Sequence, residues 1–282
     1  MEAPALVRRL VATGDAPIDR ALQAGAAADR LGVAFAAGYR EALRALVPEL
    51  EGVAALCITE DKGNHPRAIE TTLVEVAPGA YELTGKKKWA TGGPLAQTLL
   101  VAAKAGEEAG RPRLRLVRVR AGAPGVTTVA MAQPFVPEIP HAEVHLARVA
   151  VAEADLLPGD AYTTYIKPFR TVEDIHVHAA LLGYLIAVAA RHALPRSLLE
   201  RLLALAHATR ALAARDRASP ELHVVLAGTL ALVPPVLAEL ESAWSALGGD
   251  EHARWQRDRV LLQVAATARA ARLETAWTTL GY

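Results

Sequence analysis

Leu83-Thr84-Gly85-Lys86-Lys87-Lys88-Trp89-Ala90-Thr91-Gly92-Gly93, together with Leu56-Cys57-Ile58-Thr59-Glu60 upstream, is the stretch on which the reading of this chain turns. The upstream segment ends an apolar run with a hydroxyl and exposed backbone donors. The downstream one sets a rigid aromatic beside another hydroxyl at a Gly-Gly turn. Such a pair has the chemistry to grip a flat heteroaromatic ring, with stacking for area and backbone N–H groups for orientation. The same residues also suit a barrel-corner tryptophan with two hairpin threonines, and spacing leaves both readings open. A phosphate loop is excluded: Gly79 stands one residue too far from Gly85, and no Ser or Thr follows Lys86.

Outward from these segments, three zones differ in texture. Residues 51–159 hold short apolar runs (Val53 to Thr59, Ala68 to Val76, Gln97 to Ala103, Leu114 to Val119, Val144 to Val151) separated by Lys62-Gly63-Asn64, Pro78-Gly79, Gly92-Gly93-Pro94 and Ala123-Pro124-Gly125. That punctuation predicts a central β barrel or sandwich. Arg113, Arg115 and Arg118 alternate with Leu114, Leu116 and Val117, the pattern of a strand with a solvated face.

Residues 1–50 recur apolar at three- to five-residue steps from Leu22 to Leu46, which predicts two amphipathic helices ending at Pro48. Residues 160–282 return to helical spacing. Helices are expected near Thr171 to His192, Pro195 to Arg215, Glu221 to Ala246 and Glu251 to Leu280, forming an antiparallel bundle. Pro234-Pro235 should kink or divide the third of these. The expected fold is therefore α+β: a short N-terminal helical region, a central β domain at 51–159 and a C-terminal helical bundle.

Composition narrows the function classes. The 282 residues are 52% hydrophobic and 22% charged, with 31 Lys plus Arg against 30 Asp plus Glu. Such a balance gives no field to gather nucleic acid or an acidic membrane. Cys57 is the single cysteine, so the chain has no internal disulfide and a cytoplasmic setting is expected. Met1 to Leu10 lacks the apolar core of a secretory leader, and Ala179 to Ala190 reads as a buried core helix, too short for a membrane span. His141 and His145 can share a strand face, whereas His176 and His178, two apart on a helix, cannot; no metal site is expected. Cys57 reads as a buried, inert thiol.

Taken in order, the Cys-x-Thr-Glu strand end, the Leu-x-Gly-x-Lys-x-Trp-x-Thr-x-Gly hairpin, Pro124-Gly125-Val126 and the segment from Ala142 to Gly159, all ahead of a helical bundle, resemble the acyl-CoA dehydrogenase family. The resemblance implies FAD as cofactor. Leu56, Ile58 and Thr59 would lie along the pyrimidine side of the flavin, and Trp89, Ala90 and Thr91 would pack on the isoalloxazine, Thr91 near its N5 edge. It implies an acyl-CoA substrate, whose α-proton a carboxylate removes while the β-hydrogen passes to flavin, and an electron-transferring flavoprotein or other acceptor. It also implies oligomers built through the C-terminal helices, with Leu261, Leu262, Val264, Ala265, Ala268, Ala271, Leu273 and Ala276 offering an apolar surface.

The commoner family base sits near a Tyr-Glu-Gly pattern that this sequence lacks. Some members place it instead ten residues before a glycine on the first helix of the C-terminal domain, and Glu173, ten before Gly183, occupies that slot. Asp174 stands where the family has arginine, and an adjacent carboxylate raises its neighbour's pKa. Thr171, Glu173 and Asp174 equally suit a capped first helical turn. The family turn after Thr-Glu is replaced by Asp61 to Pro66, which puts His65 where a substrate-side hydroxyl is usual. No Arg-x-x-Phe-Gly follows Arg191, and the N-terminal region is shorter than the family's helical domain. These departures also allow a catalytically degenerate member that serves as a binding or assembly subunit beside a full-length paralogue.

Overall fold

The computed structural model describes residues 3–11, 14–132, 135–246 and 248–282. They form two compact units, 46–169 and a second assembled from 1–45 with 170–282.

In the first unit the turn residues deliver the expected strands and two more. β1 (Ala54–Cys57), β2 (Thr72–Ala77), β3 (Ala80–Thr91), β4 (Thr98–Glu108), β5 (Arg111–Arg120), β6 (Val126–Met131) and β7 (His141–Ala152) make one curled seven-stranded sheet. Its order is β1-β4-β2-β3-β7-β6, with β5 on β4. β4 pairs in parallel with β1 and touches β2 in parallel at Thr72 and Lys104, while the other ladders are antiparallel. Leu99 to Ala103 are all buried, as a strand covered on both faces requires. β5 keeps Leu114, Leu116 and Val119 inside and its arginines outward, as the alternation predicts. The curl brings the chain beyond β1 onto β3, where the Lys88 amide donates to the Thr59 carbonyl at 2.8 Å.

In the second unit the N-terminal helical region, expected as two helices, has three. α1 (Ala3–Val11), α2 (Pro17–Ala27) and α3 (Leu31–Leu46) are three helices, and they share a core with α4 (Lys167–Arg191), α5 (Arg196–Leu212), α7 (Val233–Ser245) and α8 (Asp250–Asp258). Small residues set this packing. A Cβ on Gly183 of α4 would stand 2.2 Å from the Leu22 carbonyl oxygen, and one on Gly25 of α2 would stand 1.9 Å from that of Ala180. Only glycine allows so close an approach of two backbones.

Two of the expected C-terminal helices are broken. Pro234-Pro235 divides the third after Leu232, giving α6 (Pro220–Ala231), capped by Ser219, and α7. The fourth is not continuous: α8 runs into a 3-10 turn over Arg259–Gln263 before α9 (Ala266–Leu280). Leu261 and Leu262 thereby turn inward against the core, whereas Val264 is exposed. Tyr162–Arg191 and Pro220–Ser245 have the length and apolar character of membrane spans, but 89% of the apolar window in the first is buried, as the core-helix reading expects. In the second only 17% is buried, which leaves Val225 and Leu232 facing outward.

Candidate functional site

In the strand unit, the two segments singled out from sequence are brought side by side. Leu56 is buried at the end of β1, and Ile58 and Thr59 follow half-buried. The Lys87 ammonium donates to the Ile58 carbonyl at 3.3 Å, and the Lys88 amide holds Thr59 as described above. The β3–β7 register shifts between Lys87 and Ala90, so Lys88 and Trp89 form a bulge. Trp89 takes φ +57° there, and its indole is 53% exposed. A left-handed backbone is a sterically costly conformation for an aromatic residue and marks a constrained site. Ala90 is buried against β7. The Thr91 hydroxyl lies 3.1 Å from Nε2 of His141, whose imidazole burial holds below its ordinary pKa while the Ile139 backbone opposes that pull.

Cys57 is the inert thiol expected from sequence, fully buried and pushed up to about 12 by burial. His145 contacts Glu143 instead of completing a set with His141.

A cleft of about 1030 Å³ lies on the same unit, lined among others by His65, Arg67, Arg111, Arg113, Arg115 and Tyr162. His65 Nδ1 accepts from the Arg67 amide, which fixes the turn that carries both. Arg118 pairs with Glu49. Arg67, Arg111, Arg113 and Arg115 have no carboxylate partner among the described residues, although most other arginines of the chain do. The outward face read for β5 holds for Arg113, Arg115 and Arg118 alike, and within it Arg118 is taken up by Glu49 whereas Arg113 and Arg115 line the cleft. Their period-two spacing was visible in the sequence; the convergence of Arg67 from a distant turn was not.

In the helical unit, Glu173 sits in the second turn of α4. The helix starts at Lys167 and is preceded by a π-helical turn over Tyr162–Ile166, so Thr171 is no cap and the first-turn reading of Glu173 and Asp174 fails. The Glu173 side chain is 18% exposed and meets Arg170 at 3.5 Å, the long end of an ion pair. Burial drives its carboxyl up to about 7; Arg170 and Arg272 oppose this, and Asp174 adds to it. Asp174 itself is held by Arg269 at 3.2 Å and by Arg272. His176 and His178 turn their Nδ1 atoms to the carbonyls of Val172 and Asp174 on their own helix.

A curled sheet followed by this helical unit, with an aromatic bulge beside a Thr-Glu strand end, defines the class of acyl-CoA dehydrogenase folds. Comparison with known proteins agrees. Residues 55–149 match the acyl-CoA dehydrogenase middle domain. Benzylmalonyl-CoA dehydrogenase of Aromatoleum aromaticum is 36% identical over 87 residues, which is 30% of this chain and 22% of that one. Butyryl-CoA dehydrogenase from Megasphaera elsdenii superimposes with TM-score 0.72 at 17% identity, covering 94% of this chain and 81% of its own. The prolyl acyl carrier protein oxidase AnaB does so with TM-score 0.70 at 16% identity, covering 94% and 84%. The fold is that of the acyl-CoA dehydrogenases, and in sequence the likeness to that family lies in residues 55–149. Its sequence match spans about a fifth of the length of the curated relative.

Proposed function

We propose that this protein is an FAD-dependent oxidoreductase that desaturates an acyl-CoA thioester between its α and β carbons. The observation that carries the reading is the junction of Ile58 and Thr59 with the Trp89 to Thr91 bulge. These residues fit a flavin: a half-exposed indole held in one backbone conformation, two hydroxyls, and strand-end main chain within reach. Leu56, Ile58 and Thr59 would hold the pyrimidine side. Trp89 and Thr91 would hold the ring, with the small buried Ala90 keeping the backbone close to it. When bound, FAD supplies the two-electron acceptor.

Glu173 would take the α-proton. A carboxyl held near 7 is a stronger base than an ordinary glutamate and is still about half ionised at neutral pH. His65, Arg67, Arg111 and Arg115 would receive the phosphates of coenzyme A, for which guanidinium groups without a carboxylate partner are suited. Electrons would leave to an electron-transferring flavoprotein or another acceptor, in the cytoplasm. Assembly would use the outward apolar side of α6 and α7 together with α9, where Ala276 is buried and Ala268 and Ala271 are exposed.

Purified protein should take up FAD, giving an absorbance band between 350 and 500 nm that survives removal of excess cofactor, and should turn over part of an acyl-CoA panel with an artificial acceptor. Full activity of Glu173→Gln would remove Glu173 from the mechanism. A second reading, a binding or assembly subunit beside a full-length paralogue, draws support from the exposed apolar helices. It requires a colourless protein that co-purifies with a flavoprotein from its native source.

A further inference from the structure

We propose that the buried Glu60–Lys87 ion pair is the positioning element of the cofactor site, holding the Ile58-Thr59 and Trp89-Ala90-Thr91 segments at the separation that the flavin ring needs. The inference rests on the flavin reading above and gives a role to Glu60 and Lys87, which stand within the two sequence motifs but were assigned none there.

Of the three consecutive lysines, the outer two face the surface, Lys86 towards Glu143 at 2.9 Å and Lys88 towards Asp61 at 2.5 Å. Strand alternation turns the middle one inward. Lys87 has no exposed side-chain surface, and its ammonium lies 2.6 Å from Oε1 of Glu60, itself 6% exposed.

The Glu60 carboxylate is saturated. Besides Lys87 it accepts from the Glu70 amide at 2.7 Å, the Thr71 amide at 3.1 Å and the Thr71 hydroxyl at 2.8 Å. β3 meets the same threonine again, because a Cβ on Gly85 would lie 2.4 Å from the Thr71 hydroxyl oxygen. Lys87 spends another donor on the Ile58 carbonyl. One ammonium thus ties together the end of β1, the start of β2 and β3.

Stability is a weak reason for such a pair. Taking two charges out of water costs about what their attraction returns, and well-packed apolar residues often serve as well. The charged pair differs from an apolar contact in specifying direction and distance, since a carboxylate and a carbonyl must both meet one donor group. The residues it constrains most tightly are its immediate neighbours in sequence, Thr59 on one side and Trp89 two positions along on the other. They are the candidate flavin contacts.

The test uses the full chain stripped of flavin and titrated with FAD, followed by flavin fluorescence, with Tm measured in parallel. Glu60→Gln/Lys87→Met removes both charges while keeping the acceptor for Thr71. The expected result is an FAD Kd raised about tenfold or more with Tm within about 3 °C of the wild type. Glu60→Asp keeps both charges but shortens the reach, and its Kd is expected to rise about threefold. A double variant that folds and binds FAD with the wild-type Kd overturns the positioning role. If the double variant does not fold, an unchanged Kd in Glu60→Asp overturns it instead. A wild-type chain that takes up no FAD refutes the cofactor reading and this inference with it, whereas equal binding by wild type and variant refutes only the inference.

Discussion

Replacing Glu173 with glutamine should make the protein more stable and inactive at once, with a pH signature that separates this from ordinary surface effects. Holding the carboxyl at about 7 instead of its ordinary 4.5 corresponds to about 3 kcal/mol, at roughly 1.4 kcal/mol per pH unit. The side chain is 18% exposed, and solvent screening trims the expectation to about 2 kcal/mol. The folded-state pKa is raised, so between the unfolded and folded values the native state holds a proton that the unfolded chain has lost. Wild-type stability therefore falls as pH rises through the window from 4.5 to about 7. Glutamine carries no such dependence. The Tm advantage of Glu173→Gln should be near zero at pH 4.5 and reach roughly 4–8 °C at pH 8. Differential scanning fluorimetry at half-unit steps of pH reads this directly, and acyl-CoA turnover by the same samples should be lost while FAD uptake persists. A Tm difference that does not change with pH would refute the assignment of a buried, elevated carboxyl.

Three further outcomes are expected. Arg111→Ala/Arg115→Ala should raise KM for acyl-CoA about tenfold or more with kcat little changed, and should flatten the dependence of KM on ionic strength; a loss confined to kcat would count against a phosphate role for the cleft. Cys57, pushed up to about 12, should resist a thiol reagent at pH 8 until denaturant is added, and stoichiometric labelling of the native protein would contradict its burial. Gly183→Ala should destabilise by about 3 kcal/mol or more, because its Cβ falls 2.2 Å from the Leu22 carbonyl oxygen; a Tm within 2 °C of wild type, read by thermal melting, would contradict the packing of α2 on α4.

The strand unit was legible because turn residues and period-two alternation act locally: Pro78-Gly79 and the Arg-Leu alternation of β5 each settle their own neighbourhood. Two strands escaped. β3 carries lysines where an apolar run would announce a strand, and Thr127 and Thr128 interrupt β6. The break between α8 and α9 has no proline or glycine to mark it, since Arg259–Gln263 is helical in composition and tightens only as Leu261 and Leu262 turn inward against the core.

At the candidate site, the Thr59 and Trp89 segments were visible as motifs, but their junction depends on a hydrogen bond across 29 residues, which no spacing rule encodes. Asp174 raising Glu173 followed from adjacency alone. The larger influence, burial, depends on what packs over α4.

The helical unit is assembled from both ends of the chain, with the 124 residues from Leu46 to Phe169 in between. On a ribosome adding about 5–20 residues per second, that insertion takes roughly 6–25 s. For that interval Leu22, Leu31 and Ala34, which end up in the core shared with α4, have emerged without the helices that cover them. The strand unit, by contrast, is contiguous and has every partner it needs once β7 is out. Synthesis thus imposes an order, sheet first and helices last. The nascent N-terminal helices are the part of this protein with the longest need of a chaperone.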